Sequence, residues 1–182
     1  MTSDPRRKIV TVFGSRYPRS EDPEYDAARR LGRLLAEQGY TICTGGYTGI
    51  MEASSRGARE AQGHTIGVTV ESFRGAVNSF VVEEIRTKNL FSRLEKLMAL
   101  GQAYVVFRGG MGTLAELSLA WNLVQMGQIP SSRPIFLVGT FWNRFLEEWK
   151  RSTDTAPQDY ALLTVVTRPE EIAAVLGMQK SV

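Results

Sequence analysis

AYVVFRGGMGTLAE, residues 103–116, is the stretch that decides the fold. Its first five residues are apolar or aromatic without a break, the pattern of a short strand buried on both faces. Gly109 and Gly110 end the run, and the segment from Gly110 to Gly127 then reads as a helix without proline. Strand, glycine turn and helix in immediate succession form one half of a parallel crossover unit.

The same alternation extends in both directions. Upstream, KIVTVF (8–13) reads as a first strand, with Gly14 and Ser15 as the turn after it. Asp22 stands where a helix cap belongs, with Pro23 in the first turn and Leu31, Leu34 and Leu35 on the buried side. That helix stops at Gly39. YTICT (40–44) is a second strand, followed by Gly45 and Gly46 and a small-residue helix over 48–61; TIGVT (65–69) is a third. After a looser stretch over 71–79 the pattern predicts a strand over 80–85 and a helix over 89–100, with Leu90, Leu94, Leu97 and Met98 on its apolar stripe. Downstream come PIFLV (134–138), a helix over 142–151, a strand over 162–166 and a short helix after Pro169. The expectation is an α/β fold, a doubly wound parallel sheet forming a single domain over residues 1–182.

Composition narrows the chemistry. One cysteine, Cys43, excludes an internal disulfide and any zinc site of several thiolates, which points to a cytoplasmic protein. One histidine, His64, removes the usual paired-histidine metal sites, so no metal is expected. The 22 basic and 19 acidic residues give a net charge of only +3, with no basic run, so nucleic-acid binding has no support. Seventeen of the basic residues are arginine, the side chain suited to forked contacts with phosphate. No apolar run approaches the ~20 residues of a spanning helix, so no membrane partner is expected.

In a doubly wound sheet, ligands bind beyond the carboxyl ends of the strands, where helix N-termini carry partial positive charge. Three glycine turns fall there: Gly14-Ser15, GGYTG (45–49) and GGMGT (109–113). Any one of them could simply permit a tight turn; the three together point to an anion site. None has the spacing of a dinucleotide fingerprint or a P-loop, which argues against a nicotinamide enzyme or an ATPase. Thr113-Leu-Ala-Glu116 has two readings. As a capping box, Thr113 and Glu116 satisfy backbone groups at the helix start. As chemistry, Glu116 stands at the mouth of a phosphate cradle.

The order of FGS, DAARRLGRLLAEQGY, TGGYTGIMEASSRGAREAQGHTIGV, SRLEKLMAL and GGMGTLAE resembles the LOG (Lonely Guy) family of nucleoside 5′-monophosphate phosphoribohydrolases, from about Ile9 to Gly139. Its signature is PGGxGTxxE, preceded by a helix bearing an Arg-Lys pair. The resemblance implies a Rossmann-like fold, a homodimer, and hydrolysis of the N-glycosidic bond of AMP or a cytokinin-type nucleotide to free base and ribose 5-phosphate, with no cofactor. It implies that Arg93 and Glu116 are catalytic. It also implies that Gly14, Ser15, Gly45, Gly46, Gly49, Met51, Gly109, Gly110, Gly112 and Thr113 bind the nucleotide and its phosphate. Two positions depart from the pattern: Leu94 stands where a lysine is expected, and Arg108 where a proline is expected. Loss of the lysine would weaken or redirect catalysis, while Arg108 would either add a phosphate contact or face solvent. The family's old label of lysine decarboxylase is rejected, because none of Lys8, Lys88, Lys96, Lys150 and Lys180 lies in a glycine loop.

An alternative is a non-catalytic carrier of nucleotide or molybdenum cofactor, since the molybdenum-cofactor carriers share the glycine loops. Without the resemblance, Arg93 reads as a solvent-facing helix residue. His64, at a helix-to-strand turn, reads as structural, Cys43 as core, and Trp121, Trp142 and Trp149 as packing or subunit contacts. Glu83 and Glu84 read as an exposed strand edge or as ribose contacts. The helix over 114–126 is apolar on more than one stripe, as expected of a deeply buried helix or half of a dimer interface.

Overall fold

A computed structural model describes residues 8–73 and 75–178; Arg74, Lys180 and the two ends of the expected domain lie outside the described residues. Seven strands run in the order β4-β3-β2-β1-β5-β6-β7, all parallel. They are β1 (Ile9–Phe13), β2 (Thr41–Thr44), β3 (Thr65–Val70), β4 (Glu83–Thr87), β5 (Ala103–Val106), β6 (Ile135–Val138) and β7 (Leu163–Val166). The helices are α1 (Pro23–Glu37), α2 (Ile50–Glu60), α3 (Leu90–Leu100), α4 (Met111–Gln125), α5 (Phe141–Ser152), α6 (Pro157–Tyr160) and α7 (Pro169–Met178).

The strands sort their side chains to two cores. On one face Val10, Val12, Ile42 and Val105 pack against α1, α2 and α7 through Leu31, Leu35, Ile50 and Ile172. On the other, Ile9, Phe13, Val68 and Val106 meet α3, α4 and α5 through Leu97, Leu117 and Trp142. Cys43 lies in this second core, and burial pushes its thiol up to about 12, so it is inert as a nucleophile. α1 and α2 approach closely because two of their contact residues are glycines. A Cβ on Gly32 would collide with the Ser54 carbonyl, and one on Gly57 with the Arg29 carbonyl.

Three local expectations are corrected. β4 lies at Glu83–Thr87, three residues beyond the start of the expected strand over 80–85. The apolar Phe80-Val81-Val82 drew the expectation forward, but β4 is an edge strand and needs no apolar run. Asp22 is the α1 N-cap residue, yet its carboxylate accepts from the Arg19 amide at 2.6 Å instead of from the helix's first turn. The four-residue α6 carries no periodic signal and has no counterpart in the sequence reading. Among the described residues, no helix is long and apolar enough to cross a membrane.

The chain winds outward from β1 to β4 on one side and from β5 to β7 on the other. The direction of winding reverses between β1 and β5. Loops leaving the carboxyl ends of those two strands must diverge, and the gap they leave is the ordinary ligand site of such sheets.

Candidate functional site

Beyond β1 and β5 the two loops are tied together before they part. The Phe107 amide donates to the Phe13 carbonyl at 2.9 Å, and the Ser15 amide to the Arg108 carbonyl at 3.1 Å. The second glycine loop joins them when the Ile50 amide donates to the Ser15 carbonyl at 2.9 Å. Gly49 makes that junction possible: its φ of 70° is a left-handed conformation, and a Cβ there would collide with the Ser15 carbonyl.

The cavity enclosed has a volume of about 380 Å³, within the range of small-ligand sites. Of the expected residues, Gly14, Ser15, Met51, Arg93, Gly110, Gly112, Thr113 and Glu116 line it. Gly45, Gly46, Gly49 and Gly109 are not part of the lining. A Cβ on Gly45 would collide with the Arg93 guanidinium, and one on Gly109 with the Thr113 hydroxyl, so these glycines make room for the groups that reach the cavity.

α4 begins at Met111 with Gly110 as its N-cap and no side-chain cap. The first-turn amides of a helix have no partner within it, and the residues that carry them here, Met111, Gly112 and Thr113, line the cavity. This start overturns the capping-box reading. Thr113 is the third helical residue and Glu116 the sixth, a full turn too late to reach back to the cap.

Glu116 instead points inward. Its side chain is 9% exposed and that of Arg93 is 11%, with Arg93 Nη1 lying 3.4 Å from Glu116 Oε1. At that distance the pair is in loose contact, longer than a well-made charged hydrogen bond. The guanidinium is held from the other side, where its Nε donates to the Val68 carbonyl at 2.9 Å. The solvent-facing reading of Arg93 is therefore corrected: α3 turns this residue over the edge of β3 and into the cavity. Burial pushes the Glu116 carboxyl up to about 7, and Arg93 only partly offsets it. A carboxyl so poised can give or take a proton near neutrality.

The two departures from the signature fall outside the cavity. Leu94 lines an apolar groove between α3 and α4, and Arg108 pairs with Glu24 at 3.1 Å. His64 Nε2 lies 3.0 Å from Glu83, and Glu84 accepts from the Thr69 hydroxyl at 2.6 Å, so neither acid is in the cavity wall. The sequence reading missed Arg16, Tyr17, Tyr47, Val70, Phe73, Leu90 and Met111, which complete the wall. Tyr47 sits inside the quoted glycine loop, where its neighbours drew the attention. Phe73 lies in the aperiodic stretch, which offered no pattern to read. Among the described residues no group of three or more His, Cys, Asp and Glu side chains is placed to hold a metal ion.

These features define a Rossmann-like α/β protein with a switch-point cavity that sets a helix N-terminus beside a buried carboxylate-guanidinium pair. The chain belongs to the SLOG cluster4 family, whose model matches residues 7–158. It is 37% identical over 105 residues to the pyrimidine/purine nucleotide 5′-monophosphate nucleosidase of Escherichia coli K12, covering 52% of this chain and 23% of that one. It is 30% identical over 129 residues to the cytokinin riboside 5′-monophosphate phosphoribohydrolase of Mycobacterium tuberculosis, covering 68% of this chain and 67% of that one. The chain thus spans less than a quarter of the E. coli relative's length. In three dimensions it is similar to the molybdenum cofactor binding protein of Rippkaea orientalis, with a TM-score of 0.72, 25% identity, and coverage of 95% and 97%.

Proposed function

We propose that this site hydrolyses the N-glycosidic bond of a nucleoside 5′-monophosphate, releasing the base and ribose 5-phosphate. The observation that carries the reading is the buried Glu116-Arg93 pair on the cavity wall below the α4 N-terminus. The phosphate dianion sits against the first-turn amides of α4, with Arg16 at the rim. Its binding energy fixes the sugar in place. The ribose then lies over Glu116.

As the bond from C1′ to the base nitrogen breaks, positive charge builds on the sugar and the bonding pair leaves with the base. The ionised Glu116 carboxylate stabilises the cationic sugar and takes a proton from the water that adds to C1′. Returned to the departing base, that proton balances the reaction: one water is consumed and nothing is oxidised. Arg93, always charged, holds Glu116 and the ribose hydroxyls in register. The names of the E. coli and mycobacterial relatives support this reaction class.

A second reading is favoured by the likeness to the molybdenum cofactor binding protein: the same cradle would hold a phosphorylated ligand without cleaving it. Incubation with a panel of nucleoside 5′-monophosphates separates the two. Free base and ribose 5-phosphate are expected; tight binding without release would favour the carrier.

The partner we propose for the groove between α3 and α4 is a second copy of the chain. That groove is about 660 Å³ and is lined by Phe91, Leu94, Met98, Leu119, Leu123 and Ile129 among others. Phe91 on its border is 83% exposed. An apolar surface of this kind on two adjacent helices is the usual mark of association.

A further inference from the structure

We propose that the base is received on an aromatic platform of Tyr47 and Phe73, set in place by Asn78, and is held there chiefly by stacking. This deepens the hydrolase reading and rests on it. The order of contacts across the cavity carries the inference. The α4 N-terminus and Ser15 form one side of the wall, and Glu116 and Arg93 come next. The Arg93 guanidinium carbon lies 5.8 Å from the Tyr47 ring centroid. The Tyr47 ring in turn meets Phe73 at 4.6 Å between centroids, tilted by 51°. A nucleotide with its phosphate at the helix start and its ribose over Glu116 therefore directs its base toward these two rings.

The same wall carries Met51, Val70 and Leu90, which offer no side-chain donor and only a weak thioether acceptor. The Tyr47 hydroxyl accepts from the Val70 amide at 3.2 Å and keeps its own O–H as a donor. Phe73 and Leu90 are 44% and 54% exposed, apolar surface that a base would cover.

Tyr47 and Phe73 come from different segments, and one buried amide joins them. Asn78, 8% exposed, donates from Nδ2 to the Gly46 carbonyl at 3.0 Å and to the Tyr47 carbonyl at 2.8 Å. Its own amide also donates to Gly46, at 2.8 Å, and its Oδ1 accepts from the Phe80 amide at 3.1 Å. Asn78 is thus a positioning residue: it fastens the β3–β4 connection to the glycine loop that carries Tyr47. Every base has a flat face, so such a platform tolerates all of them and favours the larger purines.

Calorimetry on the Glu116→Gln protein, which would hold substrate without turnover, tests this with AMP, UMP and ribose 5-phosphate. Phe73→Ala in that background is expected to weaken AMP about tenfold and UMP less, leaving ribose 5-phosphate within about twofold. Phe73→Trp is expected to restore AMP. Asn78→Ala should follow Phe73→Ala, with AMP weakened and ribose 5-phosphate kept, a split that a merely structural residue would not give. Undiminished AMP binding in Phe73→Ala, with ribose 5-phosphate still bound, would overturn the platform and leave the hydrolase reading standing. Equal loss of AMP and ribose 5-phosphate would overturn it too, reducing these residues to structural support. Failure of the parent protein to bind either ligand would instead overturn the hydrolase reading beneath it.

Discussion

Glu116 joins a carboxyl pushed up to about 7 to a position facing the cavity, and the two consequences run in opposite directions with pH. For stability, the fold prefers the protonated form. The resulting stabilisation is fully present below the ordinary carboxyl value of 4.5 and is lost as the pH rises through about 7. A shift of that size corresponds to something of the order of 3 kcal/mol. Urea midpoints measured at pH 5 and pH 8 should therefore fall for the wild type and stay nearly level for Glu116→Gln; equal slopes would contradict the burial argument. For activity, the proposed mechanism has the ionised form take the proton from water, so kcat/KM should climb with pH and reach half its plateau near 7. Removing the nearby cation in Arg93→Ala takes away what holds the carboxyl down. Its pH-rate midpoint should move upward and its plateau should fall by about 10²-fold or more. An unshifted midpoint would mean that Arg93 does not act on Glu116.

Among the elements, α4 shows what a sequence can and cannot reveal. The run of apolar residues before Gly109 and the glycine turn were enough to place strand, turn and helix. The carboxylate's partner was not legible in the same way, because Arg93 arrives from another helix 23 residues away and no local pattern distinguishes it from a surface arginine. The capping-box reading failed for a related reason: Thr-x-x-Glu spacing fits a cap only when the threonine is the N-cap, and here the N-cap is Gly110, three residues earlier. Gly112 allows a direct test of the proposed cradle. A Cβ there meets nothing within 4 Å, so Gly112→Ala should keep or raise stability by a few tenths to about 1 kcal/mol. The added methyl would border the amides where phosphate sits, so ribose 5-phosphate affinity should fall by about tenfold or more. At Gly57 the same change meets the Arg29 carbonyl, and a loss of about 1–3 kcal/mol is expected. Thermal melts and ribose 5-phosphate titrations of the two variants should therefore part in opposite senses.

Over the whole molecule, the doubly wound order was legible because each inner strand is a short, buried run of β-branched and apolar residues, whereas edge strand β4, with its mixed exposure, was placed three residues early. The aromatic end of the cavity was not legible at all: Tyr47 and Phe73 become neighbours only after β3 and the second glycine loop have folded together. A second whole-molecule question concerns Phe91 and the groove between α3 and α4. Light scattering should give twice the 20.3 kDa chain mass, and Phe91→Glu should shift the population toward the single chain. A wild-type monomer would remove the second copy from the account. The central claim is the conversion of a nucleotide at the Glu116-Arg93 pair, and the most direct measurement is chromatography of AMP incubated with the protein. Equal amounts of adenine and ribose 5-phosphate are predicted for the wild type, and at least about a hundredfold less of both for Glu116→Gln with AMP still bound. AMP held intact by the wild type, or released base at the same rate from both proteins, would contradict it.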